Sequence, residues 1–211
     1  MKHSLTTLFA LTLTLSSFSP VAAQEPINDA ITIRVFNYAG TPAEEMLRAQ
    51  QEADAIFARS NVRLSWLDCT LDAERQPADP TCNAVRGASV LNLRLAPERM
   101  APKQGLPKGI FGFSMMSTTG GFSSTTNVYV DRVSEIADGR KYRQPVVLGA
   151  IIAHELGHLL LGIGGHSKAG LMSLPWGPKA LTAADQGTLG FSKRETKQLV
   201  KAVEKRTSST S

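Results

Sequence analysis

The chain predicts an α+β domain with four to five strands, and three observations carry that prediction. Runs in which every second residue is apolar recur through the first two-thirds of the sequence. Two segments of helical period, one early and one at the C-terminal end, each open on a capping signature. Between them lies one long apolar stretch, Pro145 to Gly162, with His154, Glu155 and His158 at its centre.

The elements follow in chain order. Met1 to Ala23 carries Lys2, an uncharged apolar and hydroxyl-bearing run from Leu5 to Phe18, and small residues at Val21-Ala22-Ala23. This reads as a secretory signal cleaved before Gln24. It is too short, and too broken by Thr and Ser, for a membrane anchor. The mature protein is therefore expected to be secreted or periplasmic. Residues 24–206 are expected to form one domain, of a size that buries roughly 70% of its unfolded surface. The Ser/Thr tail, 207–211, is expected to be disordered.

Ile31, Ile33 and Val35 alternate with Thr32, Arg34 and Phe36, a half-buried strand. Thr41-Pro42-Ala43-Glu44 reads as a capping box with Pro at the first helical position. Met46, Leu47, Ala53, Ile56 and Phe57 then keep a helical period to about Arg59. Val62, Leu64 and Trp66 alternate again. Cys69 and Cys82 are the only two cysteines, and they bracket a loop composition that includes Asp72, Pro77, Asp79 and Pro80. In an exported chain such a pair reads as a disulfide, worth about 3 kcal/mol by loop entropy. A thiolate metal ligand would need a reduced cysteine, which export disfavours. Ser89 to Ala96 gives a third strand, Gly109 to Met116 a weaker one and Thr125 to Val133 a fifth. The long apolar helix spans Pro145 to Gly162. Ser192, with Glu195 three residues on, caps a last helix that runs to about Lys205.

The formal net charge is +5, from 23 basic and 18 acidic residues. The basic residues are scattered except between Lys193 and Arg206, and no aromatics interleave with them. That is a solvated helix face, and no nucleic acid partner is expected. The stretch from Pro145 to Gly165 is long enough to span a membrane. It would put two histidines and a glutamate against lipid, and the chain offers no companion spans to shield them. No stable span is expected once the signal is removed. Nothing in the sequence fixes an oligomeric state.

Three of the four histidines fall between 154 and 166. Residues four apart on a helix share a face, so His154 and His158 can aim two ring nitrogens at one ion. Glu155 sits beside them, within reach of a water on that ion. This is the H-E-x-x-H arrangement of a zinc hydrolase. Burying two imidazoles and a carboxylate in so apolar a helix is costly without a partner, and a divalent cation supplies one. A catalytic zinc keeps three protein ligands and an open position. Gly162, Gly164 and Gly165 allow the helix to stop and the chain to double back. His166 is the next residue able to bind and the only histidine left. Asp185 and Glu195 are the alternative third ligands.

The ordered set His154-Glu155-x-x-His158, Gly162, His166 and Met172, the last within Gly170-Leu171-Met172-Ser173, resembles the metzincin clan of zinc metallopeptidases. The order of elements is similar as well. The resemblance implies a twisted mixed sheet packed on a backing helix and the zinc-motif helix, with a C-terminal helix. It implies zinc held by His154, His158 and His166, with Met172 in a tight turn beneath the metal. The sequence departs from the clan's H-E-x-x-H-x-x-G-x-x-H: Gly162 comes one residue late and His166 two. The tyrosine some subfamilies place after the turn is absent, Tyr38, Tyr129 and Tyr142 all lying upstream.

The activity implied is hydrolysis of protein or peptide substrates, with Glu155 moving the proton from water to the leaving amine. A strand within Gly109 to Val130 is placed to pair with an extended substrate. The segment from Ala23 to Ile31 is too short for an inhibitory pro-domain. Trp176, after Pro175, reads equally as pocket wall or packing residue. The competing function is an exported zinc-binding module without turnover, which would need neither Glu155 nor an open coordination position. A third is a binding protein whose histidines are incidental.

Overall fold

The computed structural model describes residues 30–102, 107, 109–119, 121–137 and 141–209. The segment read above as a secretory signal, Met1 to Ala23, lies outside the described residues.

Five strands form one sheet: β1 (Ala30–Asn37), β2 (Arg63–Asp68), β3 (Val90–Ala96), β4 (Gly112–Met115) and β5 (Thr125–Tyr129). Their order is β2-β1-β3-β5-β4. The first four run parallel, and β4 is antiparallel to β5 at the edge. The period-two pattern has a plain cause: one face of the sheet is apolar and the other polar. Ile31, Ile33 and Val35 of β1, Leu91, Leu93 and Leu95 of β3 and Val128 of β5 are buried in a single core. Thr32, Arg34, Asn92, Arg94 and Asn127 alternate with them and are not buried.

Two helices supply the other half of that core. Helix α1 (Ala43–Ala58) buries Met46, Ala49, Ala53, Ile56 and Phe57. Helix α3 (Gln144–Leu161) is buried over nearly its whole length, from Val147 to Leu160. The two approach so closely that a Cβ on Gly149 would lie 2.4 Å from the Ala49 carbonyl oxygen, so glycine is required there. By length and composition α3 could cross a membrane, but 78% of it is buried inside the protein. It is the central helix of the core, which explains its apolar composition.

The remaining helices are α2 (Val130–Ala137), α4 (Pro178–Asp185) and α5 (Lys193–Ser208). The expected disulfide is present between Cys69 and Cys82, with Cα atoms 5.7 Å apart. It closes the loop after β2, which also meets β1 through the Asn37 N–H to Thr70 Oγ1 bond of 3.0 Å.

Several expectations need correction. Thr41 does not cap α1: the N-cap is Pro42, without a side-chain cap bond. The Asn37 amide instead donates to the Thr41 carbonyl at 2.8 Å and accepts from its N–H at 3.0 Å, so the turn is closed from the strand side. The strand expected to reach Val133 stops at Tyr129, and α2 follows at once. Tyr129 pairs with Ala96, the last residue of β3 before Pro97. Proline has no N–H, so the ladder ends there and β5 has no partner to continue against. Val130, Val133 and Ala137, buried at helical spacing, then take over. Helix α4 was not foreseen, and Asp185 is its last residue. Thr207 and Ser208, expected in the tail, belong to α5. Helix α5 continues through Thr207 to Ser208 because Arg206 is buried beneath it and donates to the carbonyls of Ala88, Ser123 and Leu159.

Candidate metal centre

His154 and His158 lie one turn apart on α3, and both are buried. His154 Nδ1 donates to the Leu171 carbonyl at 2.7 Å. His158 Nδ1 donates to the Ile163 carbonyl at 2.8 Å. A carbonyl only accepts, so each Nδ1 carries the hydrogen and each Nε2 presents a lone pair. Those two Nε2 atoms are 3.1 Å apart. Lone pairs facing each other at that distance repel unless a cation lies between them. Two nitrogens bound to one tetrahedral zinc, each about 2.0–2.1 Å from it, stand about 3.3–3.4 Å apart.

The backbone brings in the third imidazole. Helix α3 ends at Leu161, and Gly162 adopts φ 65°, the left-handed cap, with its N–H bonded to the His158 carbonyl. Gly164 and Gly165 keep ordinary φ values, so of the three glycines only Gly162 uses its left-handed freedom. The chain doubles back and places His166 beside the other two. Its ring lies 5.4 Å from that of His154 and 5.0 Å from that of His158. One ligand atom from each histidine fits within 4.8 Å of the others.

Burial pushes all three imidazoles below their ordinary pKa. His154, the deepest, is held at about 3, mainly by loss of water, against the Leu171 bond, which acts the other way. His158 and His166 are lowered by the same cause. Neutral imidazole is the metal-binding form, so the donor set, its tautomers and its charge state all fit a divalent cation such as zinc.

Glu155 sits in a small polar niche formed by β4 and β5. Its Oε2 accepts from Ser114 Oγ at 2.7 Å and from Thr126 Oγ1 at 3.3 Å. Its carboxylate packs on the Cα of Gly112: an added Cβ there would meet Cδ and Oε1 at 2.6 Å. Burial raises its pKa to about 7, and the two hydroxyl bonds oppose that rise.

Met172 is fully buried beneath α3. A Cβ on Gly157 would lie 2.7 Å from its sulfur, so the helix rests directly on it. Its turn is closed by the Ser173 N–H and Oγ, both bonding the Gly170 carbonyl. The alternative ligands stand elsewhere. Asp185 accepts from the Arg143 backbone and side chain. Glu195 closes the Ser192 capping box and accepts from Ser167 Oγ.

A cavity of about 470 Å³ opens beside the histidines, lined by them, by Glu155, by β4 and by Ile110, Ile151, Leu174 and Trp176. Trp176 both walls this cavity and packs, its ring 6.4 Å from Phe111 and 5.8 Å from His154.

Two solved structures are similar to this chain as a whole. Archaemetzincin from Methanopyrus kandleri superposes with a TM-score of 0.51 at 17% identity, over 85% of this chain and 98% of that one. A zinc-dependent peptidase from Methanocorpusculum labreanum (strain Z) gives 0.46 at 20% identity, over 79% and 99%. The chain shares the fold of archaemetzincin. No family model and no curated protein matches the sequence.

Sequence reasoning missed Gly112, Ser114 and Thr126 around Glu155, and the carbonyls of Leu171 and Ile163 that fix the two ring tautomers. Gly112 and Ser114 occupy alternate positions of a weak strand, a pattern that gives no reason to aim them at a residue about forty positions on. Backbone carbonyls leave no sequence signal.

Proposed function

We propose that this protein is an exported zinc-dependent peptidase that hydrolyses peptide bonds. The observation that carries the reading is the pair of Nε2 lone pairs on His154 and His158, 3.1 Å apart, with His166 beside them. The likeness of fold to archaemetzincin supports it.

His154, His158 and His166 would hold the ion, with Met172 as the apolar floor beneath it. Zinc bound there supplies a Lewis acid that acidifies water and polarises a carbonyl. Glu155 takes the proton from the attacking water and delivers it to the leaving amine. Its buried setting disfavours the charged carboxylate, which favours its taking up a proton from water. Ser114 and Thr126 hold one carboxylate oxygen and leave the other to the reaction. Strand β4 is the free edge beside the cavity, where an extended substrate backbone can pair. The Ile110, Ile151, Leu174 and Trp176 walls suit an apolar substrate side chain. The cavity and Glu155 favour turnover over an inert zinc-binding module, which would use neither.

Glu155→Gln tests the reading. The variant is expected to bind one zinc per chain and to lose at least about a hundredfold in peptide hydrolysis. Unchanged hydrolysis removes Glu155 from the mechanism.

A further inference from the structure

His166 is the least secured of the three imidazoles. It is exposed, whereas His154 and His158 are buried. Among the described residues neither of its ring nitrogens has a hydrogen-bond partner, while each of the other two rings is oriented by a backbone carbonyl. Its loop contains three glycines, and flexible chain must be immobilised before a ligand at its end can hold a metal well.

The immobilising contact lies one residue further on. Ser167 Oγ donates to Oε1 of Glu195, and the Ser167 N–H donates to the Met172 carbonyl at 2.8 Å. Glu195 is 1% exposed, on the first turn of α5. Its other oxygen accepts from the Ser192 N–H at 2.7 Å, and its own N–H bonds Ser192 Oγ at 3.3 Å. A capping glutamate ordinarily lies at a solvated helix end. This one is buried, and it uses both oxygens, one for the cap and one for the histidine loop.

We propose that Glu195 is a positioning residue for the metal centre: through Ser167 it clamps the His166 loop to the start of α5. The residue that closes the helix thereby also sets where the third imidazole stands. The proposal rests on the zinc reading above but not on turnover.

Zinc affinity tests it, measured on the purified protein by competition with a chromogenic chelator. Ser167→Ala breaks the clamp and leaves the capping box whole. It is expected to weaken zinc binding about tenfold, the low end of the loss seen when the groups that orient a ligand are removed. Ser167→Thr keeps the hydroxyl and is expected to recover most of that loss. Ser192→Ala is the structural control, expected to lower the Tm of the zinc-free protein and leave zinc affinity unchanged. Glu195→Ala is expected to show both losses. Wild-type affinity in Ser167→Ala overturns the proposal. So does equal weakening by Ser192→Ala, since the general stability of α5 would then be the cause. A wild-type protein that binds no zinc overturns the zinc reading itself, and this proposal with it.

Discussion

Gly112→Ala isolates the placement of the candidate base from the holding of the metal. Gly112 sits in β4 opposite Val128 and supplies no side chain to the site. Its missing Cβ is what the Glu155 carboxylate occupies. A methyl group there would stand 2.6 Å from Cδ and Oε1 of Glu155 and 2.7 Å from the backbone oxygen of Asn127. Ordinary contact begins at 3.4 Å, so the carboxylate must yield by about 0.8 Å and the strand contact at Asn127 by about 0.7 Å. The carboxylate and the β4–β5 ladder therefore both shift, and both shifts displace Glu155 from the niche that holds it. A displacement near 1 Å costs about a hundredfold in rate, roughly 2.7 kcal/mol of barrier. Overpacking adds a stability cost of about 1–3 kcal/mol. The assay is kcat/KM on a peptide library, read beside zinc stoichiometry and Tm. The expected result is a folded, zinc-replete protein with hydrolysis reduced about a hundredfold. Hydrolysis within threefold of wild type would show that Glu155 is not held as described.

Three further predictions concern stability. In the zinc-free protein, Glu155 is raised from 4.5 to about 7, so the folded state keeps a proton that the unfolded chain releases. Stability relative to Glu155→Gln should therefore fall as the pH rises from about 4.5 through 7, by an amount on the order of 3 kcal/mol. Parallel denaturant titrations of both proteins across that range check it, and a constant difference refutes it. Replacing Cys69 and Cys82 by serine should lower unfolding free energy by about 3 kcal/mol, seen as a reduced denaturant midpoint that reductant no longer alters. Arg206→Lys should cost about 2 kcal/mol, because a point charge cannot serve the Ala88, Ser123 and Leu159 carbonyls together. A melt within a degree of wild type would show those bonds to be dispensable.

The strands of the parallel core were legible because one face is apolar and the other polar, so period two survives in β1, β2 and β3. Helix α3 was legible by length and apolarity, and the shared face of His154 and His158 by their spacing. The disulfide followed from two cysteines flanking a loop. What failed was local competition between neighbours. The Thr41 signature matched a capping box, but Asn37 reached the turn first. Val128 and Val130 read as one strand because β-branched residues suit either element, and the end of β5 was set by Pro97 on another strand. His166 was nameable as a candidate ligand, yet its capture depends on the turn after Gly162 and on Glu195, which sequence alone offered as a cap or a ligand. The niche around Glu155 depends on β4 pairing with β5, a contact the sequence does not encode locally.

X-ray absorption at the zinc edge of the loaded protein tests the central claim most directly. The account predicts three imidazole nitrogens about 2.0–2.1 Å from the metal and one exchangeable solvent oxygen. A shell completed by a carboxylate or sulfur of the protein, or one with only two imidazoles, would contradict it.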